Sequence, residues 1–280
     1  MREHFRDNRL RWFIGDVRDS ERLEMAMSQI DYVVHAAALK QVETAEYNPF
    51  ECVATNILGA ENVIRAAIRR DVPRVIALST DKASSPVNLY GASKLCSDKL
   101  FVAGNHYAAH SRTRFSVVRY GNVVGSRGSV IPLFQALAPS GELPITDVQM
   151  TRFWISLSEA VNFVISSLEM MIGGEIFVPK IPSVRIVDVA SAINPRALRR
   201  VVGIRPGEKI HEEMISENDA YRTFEIGDRY VISPTQFSET HEFYIGRGQS
   251  VLQGFCYRSD TNDSFLTVEE IQESLNFPQR

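Results

Sequence analysis

Cysteine is scarce in this chain: Cys52, Cys96 and Cys256 are scattered through 280 residues with no paired spacing. That argues against a disulfide framework or a zinc site and fits a reducing compartment, the cytoplasm. An excess of one charge is also lacking. The 31 Lys and Arg stand against 34 Asp and Glu, which leaves no basic footprint for nucleic acid. No apolar run approaches the roughly 18 residues of a membrane span, and Met1 to Asp7 lack the apolar core of a secretory signal. A soluble protein without nucleic-acid, membrane or metal partners is expected. One more absence concerns the fold. A dinucleotide-binding sheet opens with a strand and a Gly-rich turn that sets a pyrophosphate on a helix N-terminus, yet no such sequence precedes the first strand here. The chain is expected to start partway through its fold.

What is present is enough apolar residue, 44% of the total, to bury a large core. Leu10 to Ile14 reads as a strand ending in Gly15-Asp16-Val17-Arg18-Asp19, with Ser20 as cap of a helix to about Ile30. Asp31 to Ala38 is a second strand ending in small residues, which let a flat ligand approach the backbone. Phe50, Val53, Ile57, Ile64 and Ile68 recur at helical spacing between about Asn48 and Arg70. Strands at Arg74–Leu78 and Phe115–Val118 flank a helix from about Tyr90 to Ala108 with Asn88 as its cap. The alternation predicts an α/β fold, a Rossmann-like doubly wound parallel sheet. Past Ile131 the rhythm changes. Helices at 132–138, 158–171, 186–193 and 208–215, and short runs at 175–178, 223–226 and 230–232, predict a smaller α+β substrate-binding lobe. The expected division is thus 1–130 and 131–280, with some chain returning to the sheet. The tail from about Gln236 to Asp263 is polar and weakly periodic, and a last helix is expected at 268–275.

The stretch from Ser79 to Lys94 concentrates the chemistry. It runs from the end of a buried apolar strand into a helix, and open α/β sheets place ligands at the carboxyl ends of their strands. Asp81 and Lys82 stand side by side in the loop, and Tyr90 and Lys94, four apart, share a helix face. In isolation each pair has an ordinary explanation: adjacent Asp-Lys in a loop is usually solvated, and one Tyr-x-x-x-Lys can arise by accident among nine tyrosines. For Asp16 the plain alternative is a turn or cap residue. His35 reads as structural, His211 beside Glu212 and Glu213 shows no metal-ligand pattern, and Phe153 and Trp154 read as core.

Three motifs together resemble the extended short-chain dehydrogenase/reductase superfamily: Asp31-x-Val33-x-His35-x-Ala37-Ala38, Asn56-x-x-Gly59-x-x-Asn62 and Tyr90-x-x-x-Lys94. Within it the chain is similar to the inverting UDP-N-acetylglucosamine 4,6-dehydratases that begin pseudaminic acid biosynthesis for flagellin glycosylation. The stretches that carry this are Ala36 to Lys40, Leu78 to Lys82, Asn88 to Ala92, Lys94 to Phe101, Arg119 to Pro132, Met150 to Ile155 and Gly203 to Glu212. Larger membrane-anchored relatives usually carry Met where Tyr90 stands, so the resemblance is to the short soluble members. It implies that the missing part is the first strand and Gly-rich turn.

The resemblance also implies roles. Tyr90 would be the base for a C4 hydroxyl, with Lys94 lowering its pKa from about 10 and holding the nicotinamide ribose. Lys82 would be the base at C5, which requires its own pKa to fall from about 10.4. Asp81 would act as acid toward the C6 hydroxyl, and Thr80 would hydrogen-bond the C4 oxygen. Which of Asp81 and Lys82 removes the C5 proton stays open. Asp16 and Val17 would bracket the adenine of NADP (or NAD), with Ala36, Ala37, Ala38, Ser79, Tyr120, Asn122 and Val123 along the dinucleotide. Lys40, Asn122, Glu208 and Arg205 would face a UDP-sugar, Arg205 clamping diphosphate oxygens in pairs, although an arginine before Pro-Gly can equally salt-bridge in its turn. A homo-oligomer is implied. A nucleotide-sugar 4-epimerase, or a noncatalytic sugar-nucleotide-binding chain, are the alternatives.

Overall fold

The computed structural model describes residues 7, 9–126, 128–234 and 238–276. Arg127 of the Gly125–Ser129 loop, and residues 236 and 237 of the polar tail, lie outside the described residues. The main sheet has seven strands: β1 (Tyr32–His35), β2 (Arg74–Thr80), β3 (Arg114–Tyr120), β4 (Ile176–Pro179), β5 (Thr223–Ile226), β6 (Arg229–Ile232) and β7 (Gln249–Ser250). Their order across the sheet is β1-β2-β3-β4-β6-β5-β7. The first four run parallel, and β6, β5 and β7 extend the sheet antiparallel.

Helices cover both faces, and β2 shows why its sequence suits that place. Val75 and Ala77 pack with Ala60, Val63 and Ile64 of α2 (Gly59–Arg69) and Phe101 of α3 (Leu89–Tyr107). Ile76, between them, points the other way, to Phe163 and Val164 of α4 (Leu157–Met170). An unbroken apolar strand is what a sheet covered on both sides requires. Each large side chain fully buried here, such as Phe101 or Phe115, contributes about 2 kcal/mol. A separate core joins Phe134, Leu143, Ile145, Trp154, Val184, Val189 and Ile271 from the second half of the chain. Phe153 and Trp154 are both buried, in adjoining cores. Among the described residues no helix is long and apolar enough to cross a membrane.

Several expected elements differ. Leu10–Ile14 is not a strand: it runs as an exposed loop, Ile14 being 92% accessible, tied by Arg22 Nε donating to the Ile14 carbonyl at 2.7 Å. A strand needs a neighbour for its backbone groups, and none of the described strands pairs with this segment. The next helix is Ser20–Ala26 and is capped by Asp19, whose carboxylate accepts from Arg22 N, not by Ser20. The 48–70 helix is segmented into Pro49–Val53, a π turn at Ala54–Leu58, and α2. Residues 208–215 are not helical: an extended stretch leads into a short strand, Glu213–Ile215, paired with Tyr257–Arg258. Its backbone is taken by Arg152, which donates to the Lys209 and Ile210 carbonyls, and by this pairing, which overrides helical propensity.

Helix α3 begins as expected, with Asn88 Oδ1 accepting from Gly91 N at 2.7 Å. Gly91 is required by proximity, since a Cβ there would lie 2.3 Å from the carbonyl oxygen of Lys82. Gly91→Ala is therefore expected to push helix and loop apart and to cost roughly 1–3 kcal/mol; an unchanged urea midpoint would contradict this contact.

Candidate active site

The chain leaves β2 in a single 3-10 turn, Asp81–Ala83, with Thr80 as its cap. Thr80 Oγ1 donates to Asp81 Oδ1 at 2.8 Å and accepts from Lys82 N at 3.4 Å. This short turn brings adjacent side chains into one cluster. Lys82 Nζ lies 3.1 Å from Asp81 Oδ1 and 2.9 Å from Glu212 Oε1. Asp81 is 1% exposed and Glu212 2%, so neither carboxyl is solvated. Asp81 Oδ2 and Glu212 Oε2 are buried without a hydrogen-bond partner in the protein, the kind of atom that a ligand completes.

These contacts set the ionisation. Burial raises the Asp81 carboxyl, and the neighbouring Glu212 raises it further against the pull of Lys82. Burial acts on Glu212 in the same direction, but Lys82 and Arg152 outweigh it and hold that carboxyl below its ordinary value. Of the two, Asp81 is the carboxyl with the raised proton affinity and Glu212 the one with the lowered. Burial by itself would lower Lys82; the carboxylates of Asp81 and Glu212 reverse this and hold its ammonium above the usual lysine range. That differs from the depressed value expected of a resting base, because the groups facing Lys82 are acidic, and Lys94 is engaged elsewhere.

Lys94 is 4% exposed and donates to the Leu78 carbonyl at 2.7 Å. Burial lowers its pKa. The Tyr90 phenol is pushed up to about 12, mainly by burial; Lys82 and the Thr80 hydroxyl beside it pull against that. The phenol was expected to be lowered by Lys94, but the cation acting on it is Lys82. Tyr120, the last residue of β3, adds a smaller upward push to the Tyr90 phenol.

Ser79 lies deeper. Its hydroxyl donates to Asp98 Oδ2 at 2.8 Å, and Asp98 pairs with Arg119 at 3.1 Å, both carboxylate and guanidinium being almost wholly buried. Arg119 in turn donates to the Met214 carbonyl at 2.9 Å, which ties α3 and β3 to the strand that follows Glu212.

The Asn56, Gly59 and Asn62 motif positions two loops. Asn56 receives the Leu39 N–H at 2.8 Å, donates to the Leu39 carbonyl at 3.0 Å and also to Ser93 at 2.9 Å. Asn62 donates to the carbonyls of Val17 and Arg18 at 3.1 and 3.2 Å. A Cβ at Gly59 would meet the Val17 side chain at 2.8 Å. Val17 and Ala36 to Ala38 are thus held at the strand ends, with Ala36 and Ala37 exposed. Such small side chains leave the backbone open to a flat ring. Asp16 is exposed and chelated by Arg18, which lowers its carboxyl to about 2; in its own loop it is the turn residue of the plainer reading.

The remaining candidates divide. Asn122, with Oδ1 buried and unpartnered, and Val123 line a small cleft with Ser129, Arg152 and Trp154. Lys40 is exposed. The Arg205 guanidinium is 57% exposed and 3.9 Å from Glu43, while Glu208 accepts the Arg205 N–H at 3.2 Å. His35 stacks on Phe101 at 5.5 Å, and His211 bonds Thr151 at 2.9 Å. Among the described residues no cluster could hold a metal ion. Glu212 and Arg152 went unnoticed as site residues. Glu212 lies far along the chain from Lys82, and no spacing rule connects them.

For a nicotinamide dinucleotide the residues present fit in part: the open backbone at Ala36–Ala38 and the orphaned Asn122 oxygen suit it. Among the described residues no Gly-rich strand-to-helix turn precedes β1.

The family described as polysaccharide biosynthesis protein matches residues 1–234. A UDP-N-acetylglucosamine 4,6-dehydratase (inverting) of Campylobacter jejuni subsp. jejuni serotype O:23/36 (strain 81-176) is 54% identical over 99% of this chain and 85% of its own length. A UDP-glucose 4-epimerase of Rickettsia canadensis (strain McKiel) is 40% identical over 100% of this chain and 84% of its own. The crystal structure of the dTDP-glucose 4,6-dehydratase DesIV from Streptomyces venezuelae, with NAD and TYD bound, superposes with a TM-score of 0.65 at 25% identity, covering 73% of this chain and 70% of that one.

His35 supplies a pH test of the site's packing. Burial, with Lys94 adding to it, depresses its pKa to about 4, whereas the unfolded chain binds that proton near pH 6.5. The unfolded state binds more protons in this window, so stability present above pH 6.5 falls as pH drops toward 4, by about 3 kcal/mol in all. In His35→Asn, denaturant titrations should lose that part of the pH dependence; identical slopes in both proteins would contradict the buried neutral imidazole.

Proposed function

The chain belongs to the polysaccharide biosynthesis protein family, and on that premise we propose that it catalyses the 4,6-dehydration of UDP-N-acetylglucosamine with inversion at C5. The product is a UDP-4-keto-6-deoxy-L-hexosamine. The observation that carries the reading is the buried carboxyl of Asp81 and the partly buried ammonium of Lys82, beside Tyr90 and Thr80 at the end of β2. A 4-epimerase needs only the oxidation groups and has no use for that pair.

The C5 hydrogen of a hexose is not acidic, but a ketone at C4 makes it so. A nicotinamide cofactor supplies the hydride acceptor at C4 and returns the hydride at C6. Tyr90 handles the proton of the C4 hydroxyl, and Thr80, whose hydroxyl lies beside the phenol, orients it. Asp81, whose proton affinity burial raises, gives a proton to the departing C6 hydroxyl, which leaves as water. Lys82 works at C5. Since it rests as an ammonium between carboxylates, it accepts the C5 proton only after passing its own to one of them. Asn122 and Arg205 contact the sugar nucleotide, with Lys40 and Glu208 near them. Asp16, Val17, Ala36 to Ala38, Ser79, Lys94, Tyr120 and Val123 lie along the cofactor, read as NADP with NAD as the alternative. Residues 1–130 carry the catalytic groups, and 131–280 serve mainly the substrate. The same reading has a cytoplasmic homo-oligomer.

Purified protein incubated with UDP-N-acetylglucosamine and NADP should yield a product lighter by one water. An unchanged mass with altered stereochemistry would mark an epimerase, and no reaction a noncatalytic binder. Lys82→Ala should lower dehydration at least about a hundredfold, the scale of a lost general base, while hydride exchange at C4 persists; wild-type turnover would remove Lys82 from the mechanism.

A further inference from the structure

Lys82 is held from a distant part of the chain. The segment Gly207–Glu213 lies across the catalytic turn and is fixed there at several points. Asn88 Nδ2 donates to the Gly207 carbonyl at 2.7 Å, and Lys209 Nζ to the Ser84 carbonyl at 2.7 Å. Ser84 and Ser85 hydroxyls both donate to Glu213 Oε1 at 2.7 Å. Arg152 grips the same segment by its carbonyls, with Nη1 on Ile210 O at 3.0 Å and Nη2 on Lys209 O at 2.9 Å. The clamp delivers one side chain into the cluster, Glu212, whose Oε1 sits 2.9 Å from Lys82 Nζ and 3.8 Å from Arg152 Nε. A carboxylate 2% exposed is costly to bury unless its charge is answered.

We propose that Glu212 is the counter-ion of Lys82, a positioning residue that pins the ammonium beside Asp81 and takes up its proton when Lys82 turns base. In that transfer one N–H bond of Lys82 breaks and an O–H bond forms on Glu212 Oε1, so the ion pair becomes a neutral pair and no outside reactant is needed. The catalytic consequence rests on the dehydratase reading above; the ion pair does not.

The groups that face Lys82 are few. Asp81 and Glu212 stabilise its charge, Arg152 opposes it, and the Tyr90 phenol feels it from α3. Lys209 acts on Glu212 from the same segment. With Glu212 neutralised, desolvation and Arg152 face only Asp81, which burial already inclines to hold its proton. The ammonium then loses the nearer of its two carboxyl partners.

The test is direct titration of Lys82 in the full chain carrying 13C-labelled lysine, with the Cε resonance assigned through Lys82→Arg. In Glu212→Gln the midpoint should fall by about one pH unit or more, Glu212→Asp should restore part of the shift, and Glu217→Gln, which alters an exposed carboxylate outside the clamp, should leave it in place. An unmoved midpoint in Glu212→Gln, or an equal shift in Glu217→Gln, overturns the proposal. Should Glu212→Gln not fold, the Glu212→Asp midpoint decides, an unshifted value counting against the pair. Where dehydration is measured, Glu212→Gln should lower kcat tenfold or more, with KM changing less than about threefold. The titration shift without any dehydratase activity in the wild type would overturn the functional reading and leave the ion pair standing.

Discussion

The interaction on which the site depends is a single ammonium shared by two buried carboxyls. Lys82 cannot sit beside Asp81 in a water-poor pocket without a second anion, because Asp81 is itself driven toward its neutral form by burial and by Glu212. That anion comes from the far half of the chain. The turn after β2 and the segment 207–213 are therefore one electrostatic unit, although each belongs to a different part of the fold. Removing one member of such a buried set costs more than the set contributes as a whole, since it leaves an uncompensated charge.

A second buried pair lies beneath the first and holds the geometry steady. Asp98 on α3 joins Ser79 at the end of β2 to Arg119 on β3, and Arg119 reaches the Met214 carbonyl just after Glu212. The strand that brings Glu212 in is thus fastened to the sheet under the catalytic turn. With Gly91 allowing α3 to touch the Lys82 carbonyl, the turn is confined from below, from the helix and from above. The side chains of Thr80, Asp81 and Lys82 stay close together because the backbone between them has no room to relax.

How much of this the sequence disclosed depends on the distance over which each feature is decided. The strand β2, the cap at Asn88 and the shared face of Tyr90 and Lys94 are local, and each was legible from apolar run, cap chemistry and helical spacing. The Asn56 motif was visible as a pattern, but not its work, which is to pin Leu39 from a π turn and Val17 from α2. Leu10–Ile14 has the composition of a strand without a partner in the described sheet, and composition says nothing about partners. Residues 208–215 have helical propensity and are extended, because their backbone is taken by Arg152 and by the strand at Tyr257–Arg258.

The ionisation was the least legible part, and the reason is general. A sequence lists titratable groups, but their proton affinities depend on what faces them after folding. Read locally, Lys94 was the cation nearest Tyr90 by spacing. In the folded chain it turns inward to the Leu78 carbonyl, and Lys82 takes its place beside the phenol. Lys82 in turn was expected to be a depressed amine and is a stabilised ammonium. The second reversal comes from Asp81 together with Glu212, which arrives from the other half of the chain. A carboxyl of raised proton affinity, an anion and a cation within hydrogen-bond reach form a set suited to an elimination, which takes a proton from one carbon while the hydroxyl on its neighbour leaves with another.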